Sequence, residues 1–338
     1  MKPTSDSLFD RLAIRLRRTR IFVPLSLFLM LLPIALAFVD GQWEQFLSSG
    51  LWRVLLIQPA IVIYILLLSP FMQRAREDVI TGLRPIVQVT DQEFEQLVAQ
   101  QSRLNPRGEL IAVSTGALVG WFMRVGMALG VDSPWLQAYQ AMATVVMYAA
   151  IAWVIYGAVA GTGLYRALLR QPLEVDVFDI SPFEPVGRES VMVSVAFIIG
   201  ATLAMVFSIT GEFVLEFESF LAYVFFACVA VLVFFLNLRD THRVLADAKQ
   251  QELDLAQTRI SQAYQALKRE AQGGEAIQAI AIEIDAWISY KERLGKTRTW
   301  PYNTEIIRNL LISTLMPVGV AALRRLGAVL LSLVEWRF

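Results

Sequence analysis

Six stretches of this chain are apolar for about the length a helix needs to cross a bilayer, roughly 20 residues, and that repetition leaves few soluble folds open. The first reads "IFVPLSLFLMLLPIALAFV" over 21–39; the others fall at about 52–72, 110–130, 136–165, 190–209 and 219–238. Composition points the same way. The 338 residues are 56% hydrophobic and 18% charged, whereas soluble domains carry about 45–50% apolar and 25% charged residues. The mean hydropathy is +0.52. The expected fold class is all-α: a polytopic membrane helix bundle with six transmembrane helices, a cytoplasmic helical hairpin and a C-terminal re-entrant or interfacial helical segment.

Orientation follows from the arginines and lysines between the runs, which collect on the cytoplasmic side of a membrane. The N-terminal segment holds Lys2, Arg11, Arg15, Arg17, Arg18 and Arg20. The 73–109 loop adds Arg74, Arg76, Arg84, Arg103 and Arg107, and the 166–190 connection adds Arg166, Arg170 and Arg188. The other connections, "DGQWEQFLSSG", "VDSP" and "TGEFVLEFES", hold acids and neither Lys nor Arg. Both termini are therefore expected in the cytoplasm, in a multi-pass protein of the inner (plasma) membrane. The first run exceeds the roughly 7–15 apolar residues of a cleavable signal and reads as an uncleaved anchor. Before it, Phe9, Leu12 and Leu16 face opposite Arg11, Arg15 and Arg18, the pattern of a helix lying on an anionic leaflet. The chain thus divides into an amphipathic N-terminus (1–20), three transmembrane hairpins (21–72, 110–165 and 190–238), a cytoplasmic loop (73–109), a cytoplasmic elbow (166–189), a cytoplasmic helical hairpin (239–300) and an apolar C-terminal segment (301–338).

The elbow is the least membrane-like part. In "LRQPLEVDVFDISPFEPVGRES", Leu173, Val175 and Val177 alternate with Glu174 and Asp176, the period of an extended chain. Ser181-Pro182-Phe183-Glu184 then reads as a helix start, with Ser181 as N-cap. The carboxylates Glu174, Asp176, Asp179 and Glu184, with Glu189 beyond them, would sit beside a leaflet that repels acid. A basic partner occurs later, in "YKERLGKTRTWP": Lys291, Arg293, Lys296 and Arg298. Two readings stand, an elbow docked on that segment and a solvated connector.

Beyond Arg239 the spacing becomes that of amphipathic helices. Leu253, Ala256, Ile260, Ala263 and Leu267 share one face, and Ile277, Ile280, Ile284, Trp287 and Ile288 share another, with a break at Gly273-Gly274. Thr90 and Glu93 stand at capping-box spacing in the 73–109 loop. The apolar run 309–323 is short, and Arg324 and Arg325 interrupt it. A helical segment bent near Pro317 and Gly319 fits it better than a seventh span, which would put the C-terminus outside.

Few residues offer chemistry. The single cysteine, Cys228, rules out an internal disulfide, and the single histidine, His242, has no ligand partners at metal spacing. His242 reads as a helix-surface residue just past a span. No phosphate-cradling loop or nucleophile elbow is present, so no cofactor, metal site or enzymatic activity is expected. Gly116 with Gly120, Gly126 with Gly130, and Gly157 with Gly161 read as small faces for close helix contact. Arg124, the charge deepest inside a predicted span, is the candidate intramembrane polar or pore residue. Its other readings are snorkelling outward and pairing with an outer acid such as Glu212.

The net charge is zero, which argues against nucleic acid as a partner. The expected partners are the lipid bilayer, a second copy of the chain in a homo-oligomer and a cytoplasmic protein. An oligomeric scaffold or sensor working through its cytoplasmic helices ranks first. An ion channel with Asp40, Glu44, Asp132, Glu212 and Glu216 at its mouth comes next, and a small-molecule transporter third.

Overall fold

The computed structural model describes residues 22–48, 50–102, 105–126, 133–208, 217–269 and 274–300, together with Arg308 and Ile312. Nine α-helices occur among them: α1 (Phe22–Val39), α2 (Trp43–Ser48), α3 (Leu51–Leu83), α4 (Asp91–Gln101), α5 (Pro106–Gly126), α6 (Pro134–Leu169), α7 (Glu184–Ser208), α8 (Phe217–Arg269) and α9 (Gly274–Lys296). Short 3₁₀ turns at Arg84–Ile86 and Ser181–Phe183 complete the order. There is no strand among the described residues. The expected amphipathic helix at 1–20, Glu212 and Gly130 lie outside them, and so does the C-terminal segment apart from Arg308 and Ile312.

Among the described residues five helical stretches are long and apolar enough to cross a membrane: Phe22–Val39, Leu51–Ile86, Pro134–Leu169, Ser181–Ala204 and Tyr223–Arg269. The sequence predicts six. The third predicted run does form a helix, α5, but Glu109 and Arg124 fall within its 21 residues and lower its apolar content.

The bundle has two chemically distinct ends. At one, Ala37, Phe46, Leu55, Leu136 and Tyr139 pack together from α1, α2, α3 and α6. Gly41 and Gly50, at φ 68° and 73°, make the turns there that other residues adopt only with strain. Ser133 caps α6 at this end, its hydroxyl accepting the Leu136 N–H at 3.2 Å, and also bonds to Asp40. At the opposite end Val79, Ile80 and Leu83 of α3 meet Phe94 of α4, Leu164 and Leu168 of α6, Phe183, and Leu245 of α8. Among the described residues Asp40 and Glu44 lie at the first end together with Arg53, and Arg84, Arg166 and the acids of the elbow lie at the second.

Helix α5 lies tightly on α6 because two glycines let the backbones approach. A Cβ at Gly116 would stand 2.5 Å from the Tyr148 carbonyl oxygen and 3.0 Å from Ala149 Cα. One at Gly120 would stand 2.9 Å from Val145 Cα. The expected small-residue face is formed here. Gly161 serves otherwise: the space its missing Cβ leaves is taken by the Arg76 guanidinium, 2.6 Å away, and Gly157 has nothing within 4 Å. For that pair the expected helix contact is replaced by room for a side chain.

No break in the helix marks the boundary expected at 238/239. Helix α8 runs without a break through Arg239 for 53 residues, about 80 Å at 1.5 Å per residue. The sequence from 236 to 245 has neither Gly nor Pro to stop it. Its flank is tied to α6, where Arg166 Nε donates to Asp240 Oδ2 at 2.9 Å. Helix α9 runs antiparallel to α8, with Gly295 beside Lys249, Tyr290 beside Glu252 and Lys291 beside Gln257. The faces predicted from periodicity form the contact, with Ala256, Ile260 and Ala263 buried on α8 and Ile284 on α9.

Candidate functional site

Two arrangements gather side chains whose chemistry exceeds packing. The first is the root of the α8–α9 pair. Leu173 bridges Val87 in antiparallel fashion, with Gln88 N donating to Pro172 O at 2.9 Å and Glu174 N to Ile86 O at 2.8 Å. The elbow is thus extended as expected, but it is seated on the segment after α3. Its acids act locally. Glu174 accepts from Gln88 Nε2 at 3.1 Å, Asp176 from the Phe178 N–H at 2.8 Å, and Asp179 from the Ser181 N–H at 3.0 Å. Hydrogen bonding to Ser181 holds the Asp179 carboxyl below its ordinary range. The helix start differs from expectation in the same detail. Ser181 opens a 3₁₀ turn instead of capping a helix, and its N–H is satisfied by Asp179. Glu184 is exposed in the first turn of α7, where the helix dipole favours a negative charge.

The basic set lies on α9 and just after it. Lys291 donates to Gln257 at 2.7 Å, Arg293 and Lys296 occupy the last turn of α9, and Arg298 is exposed. Among the described residues no ion pair joins these cations to the elbow acids. The elbow reaches α9 through an apolar contact: the Phe178 ring lies 5.7 Å from that of Tyr290, inclined at 61°. Tyr290 Oη donates to Glu252 Oε2 at 2.9 Å. Partial burial, and then this bond, push its hydroxyl above the ordinary value. Lys249 Nζ donates to the Gly295 and Thr297 carbonyls at 3.0 and 2.9 Å, satisfying acceptors that a helix C-terminus leaves open. His242 stacks on Trp300 at 4.2 Å and its Nδ1 lies 3.0 Å from the Thr299 carbonyl oxygen. It therefore fastens the chain leaving α9. The Thr90–Glu93 capping box that starts α4 forms as its spacing predicts.

An aromatic pair of this geometry contributes about 0.5–1.5 kcal/mol. Phe178→Ala should therefore leave the bundle folded and loosen the α9 root. Amide hydrogen exchange at 288–296 should quicken about two- to tenfold while exchange in α3 and α6 stays unchanged. Equal quickening everywhere would show that Phe178 serves global stability instead.

The second arrangement lies inside the bundle, and the sequence reading passed over it. Arg76 of α3, Tyr165 of α6 and Glu189 of α7 converge beside Gly161 on the wall of a cleft whose empty space, the open solvent at its mouth included, is about 740 Å³. Tyr165 and Glu189 are 2% and 6% exposed. The Arg76 charge acts on both, and Tyr165 faces Glu189. Among the described residues neither Tyr165 Oη nor Glu189 Oε2 makes a hydrogen bond, although both are shut off from solvent. A buried carboxylate beside a guanidinium is costly to separate, because each charge depends on the other in a medium that solvates neither. A further carboxylate, Glu109 of α5, is buried and accepts from Trp153 Nε1 at 3.0 Å. Trp153 lines the same cleft.

A second, mostly apolar space lies beside it between α3, α6 and α7, with Tyr64 and, from α8, Phe226 on its wall. Ile65, Leu68, Met72 and Val154 line both, so the two spaces adjoin. The first carries charged and polar groups at one end, and the second does not.

Arg124, the charge singled out from sequence, sits elsewhere, near the far end of α5. Its guanidinium lies 5.3 Å from the centre of its own helix's Trp121 ring, within cation–π range, and Trp121 is itself half exposed. Cys228 is exposed. No group of three His, Cys, Asp or Glu capable of holding a metal occurs among the described residues.

The fold and these sites define a class: a helical protein with several helices of membrane-crossing length and apolarity, compatible with a membrane protein, and with a buried ionic cluster. Comparisons with protein-family models, curated proteins and solved structures find no match for this chain.

Proposed function

We propose that this is a six-span protein of the inner (plasma) membrane, with cytoplasmic termini, that serves as an oligomeric scaffold or sensor and not as an enzyme. The α8–α9 pair would be its cytoplasmic interaction arm. The observation that carries this reading is α8 itself. One helix, 53 residues long, contributes both to the apolar bundle and to the polar antiparallel pair, so a displacement in one is delivered to the other without a hinge. The elbow braces that pair against the bundle, and Lys249 and His242 hold the chain leaving α9 to α8.

Helix α5 is the sixth span in this reading. Its 21 residues reach about 32 Å, close to the roughly 30 Å of a hydrocarbon core. Leu110, Ile111, Leu118 and Phe122 are 60–70% exposed along it, a face suited to lipid or to a second copy. The arginines in the sequence at 74–107 and 166–188, against connections without Lys or Arg at 40–50 and 131–134, support the orientation.

The test combines native mass in phosphatidylcholine nanodiscs with cysteine labelling. In a Cys228→Ser background, Ser48→Cys should react with an impermeant maleimide from outside intact cells, and Gln171→Cys and Ser261→Cys only after lysis. The mass should be a stable multiple of the 38.0 kDa chain. A monomer would remove the oligomeric part. The reverse labelling pattern would overturn the orientation, and an ion flux abolished by Arg124→Leu would favour a channel.

A further inference from the structure

Two adjoining spaces between α3, α6 and α7 form a cleft with walls of two kinds. Tyr165 Oη and Glu189 Oε2 stand at its polar end, buried and without hydrogen bonds among the described residues. A buried group of this kind is destabilising unless something bonds to it. The other arm is lined by apolar side chains that include Ile61, Leu68, Phe197 and Phe226. Along α7 the distance from Glu189 to Ala201, which closes the apolar arm, is about 18 Å at helical rise. We propose that this cleft binds one single-chain amphiphile with an uncharged, hydroxyl-bearing head, of the monoacylglycerol type. The head sits at Tyr165 and Glu189 and the chain lies along the apolar arm.

The head chemistry follows from the atoms present. A hydroxyl donates to Glu189 Oε2 and accepts from Tyr165 Oη, which satisfies both. Arg76 and Glu189 already offset one another in charge, so a further full charge on the head would be buried without its counterion. Depth agrees. Glu189 lies 19 residues from Ser208, the end of α7, so a span measured from that end reaches Glu189 after about 28 Å, near the edge of the hydrocarbon core. A head group of the nearer leaflet lies at that level, and its chain points back along α7. Ordered water could bond to the polar end, but water has no affinity for the apolar arm.

The inference rests on the reading that the bundle lies in a bilayer, and it names what a sensor of this build would sense. Full-length protein in phosphatidylcholine nanodiscs is titrated with diazirine-tagged monooleoylglycerol, irradiated and mapped by peptide. Labelling should saturate at one probe per chain, on α3, α6 and α7. Unlabelled monooleoylglycerol should compete at least tenfold better than oleate or oleylamine. Leu68→Trp, which blocks the junction of the two arms, should weaken binding at least tenfold, and Tyr165→Phe about fivefold, the worth of one hydrogen bond. Labelling that rises linearly with probe, or spreads over the outward faces of α1 and α5, overturns the site. Equal competition by oleate overturns the uncharged head. The competition experiment uses the unaltered chain, so it decides even where a variant folds poorly. Protein released from membranes by alkaline carbonate would instead refute the membrane reading itself.

Discussion

Gly116→Leu is expected to separate α5 from α6 and to leave little monodisperse protein. The atoms in the way are backbone: the Tyr148 carbonyl oxygen at 2.5 Å and Ala149 Cα at 3.0 Å from the added Cβ. A rotamer change in a neighbour cannot relieve such a clash, so a whole helix must move. Overpacking of this kind costs about 1–3 kcal/mol and sometimes more. Gly116→Ala should fall inside that range, and Gly116→Leu at or above its upper end. Gly157→Ala is the control. Nothing lies within 4 Å of its new Cβ, and alanine is the better helix former by about 1 kcal/mol. Thermal midpoints in detergent, read by fluorescence-detected size exclusion, separate these outcomes. A wild-type midpoint for Gly116→Leu would mean that the α5–α6 contact is not as close as described.

Glu189→Leu should be nearly as damaging, for an electrostatic reason. It leaves Arg76 beside Gly161 without the buried carboxylate that balances it. Breaking a buried pair from one side costs about 3–5 kcal/mol, whereas replacing both members by apolar groups is often close to neutral. The double change Arg76→Met with Glu189→Leu should therefore recover at least half of the midpoint lost by Glu189→Leu alone. Additive losses would show that the two side chains act independently. Recovery of fold without recovery of amphiphile binding would separate the structural work of the cluster from its role at the head-group end of the cleft.

The contrast between Arg124 and Glu189 shows what a linear reading can and cannot see. Arg124 is conspicuous because apolar residues flank it in the chain, yet its guanidinium lies on the helix's own surface against Trp121. Glu189 stands one residue before a predicted span that begins at 190, among Arg188 and Ser190, and looks like an ordinary flanking residue. Arg76 and Tyr165 are flanking residues too, one beyond the second predicted span and one closing the fourth. Nothing local distinguishes them. They become a site because α3, α6 and α7 run far enough past their apolar cores to bring three flanks together. A weak signal existed in Gly161, whose missing side chain was read as a helix contact and turns out to hold the Arg76 guanidinium.

Helical periodicity and apolar length determined much from the chain alone: the all-α class, the run positions, the Thr90–Glu93 cap, the extended elbow and the buried faces of the α8–α9 pair. Each is a short-range property, set by side chains within one or two turns of one another. Tertiary structure decided where the ends of different helices meet. It seated the elbow on Val87, joined it to α9 through Phe178 and Tyr290, and buried Glu189 beside Arg76. The run of α8 straight through the polarity change at Arg239 is by contrast local in origin, because backbone hydrogen bonding continues wherever no Gly or Pro interrupts it, whatever solvent the side chains face.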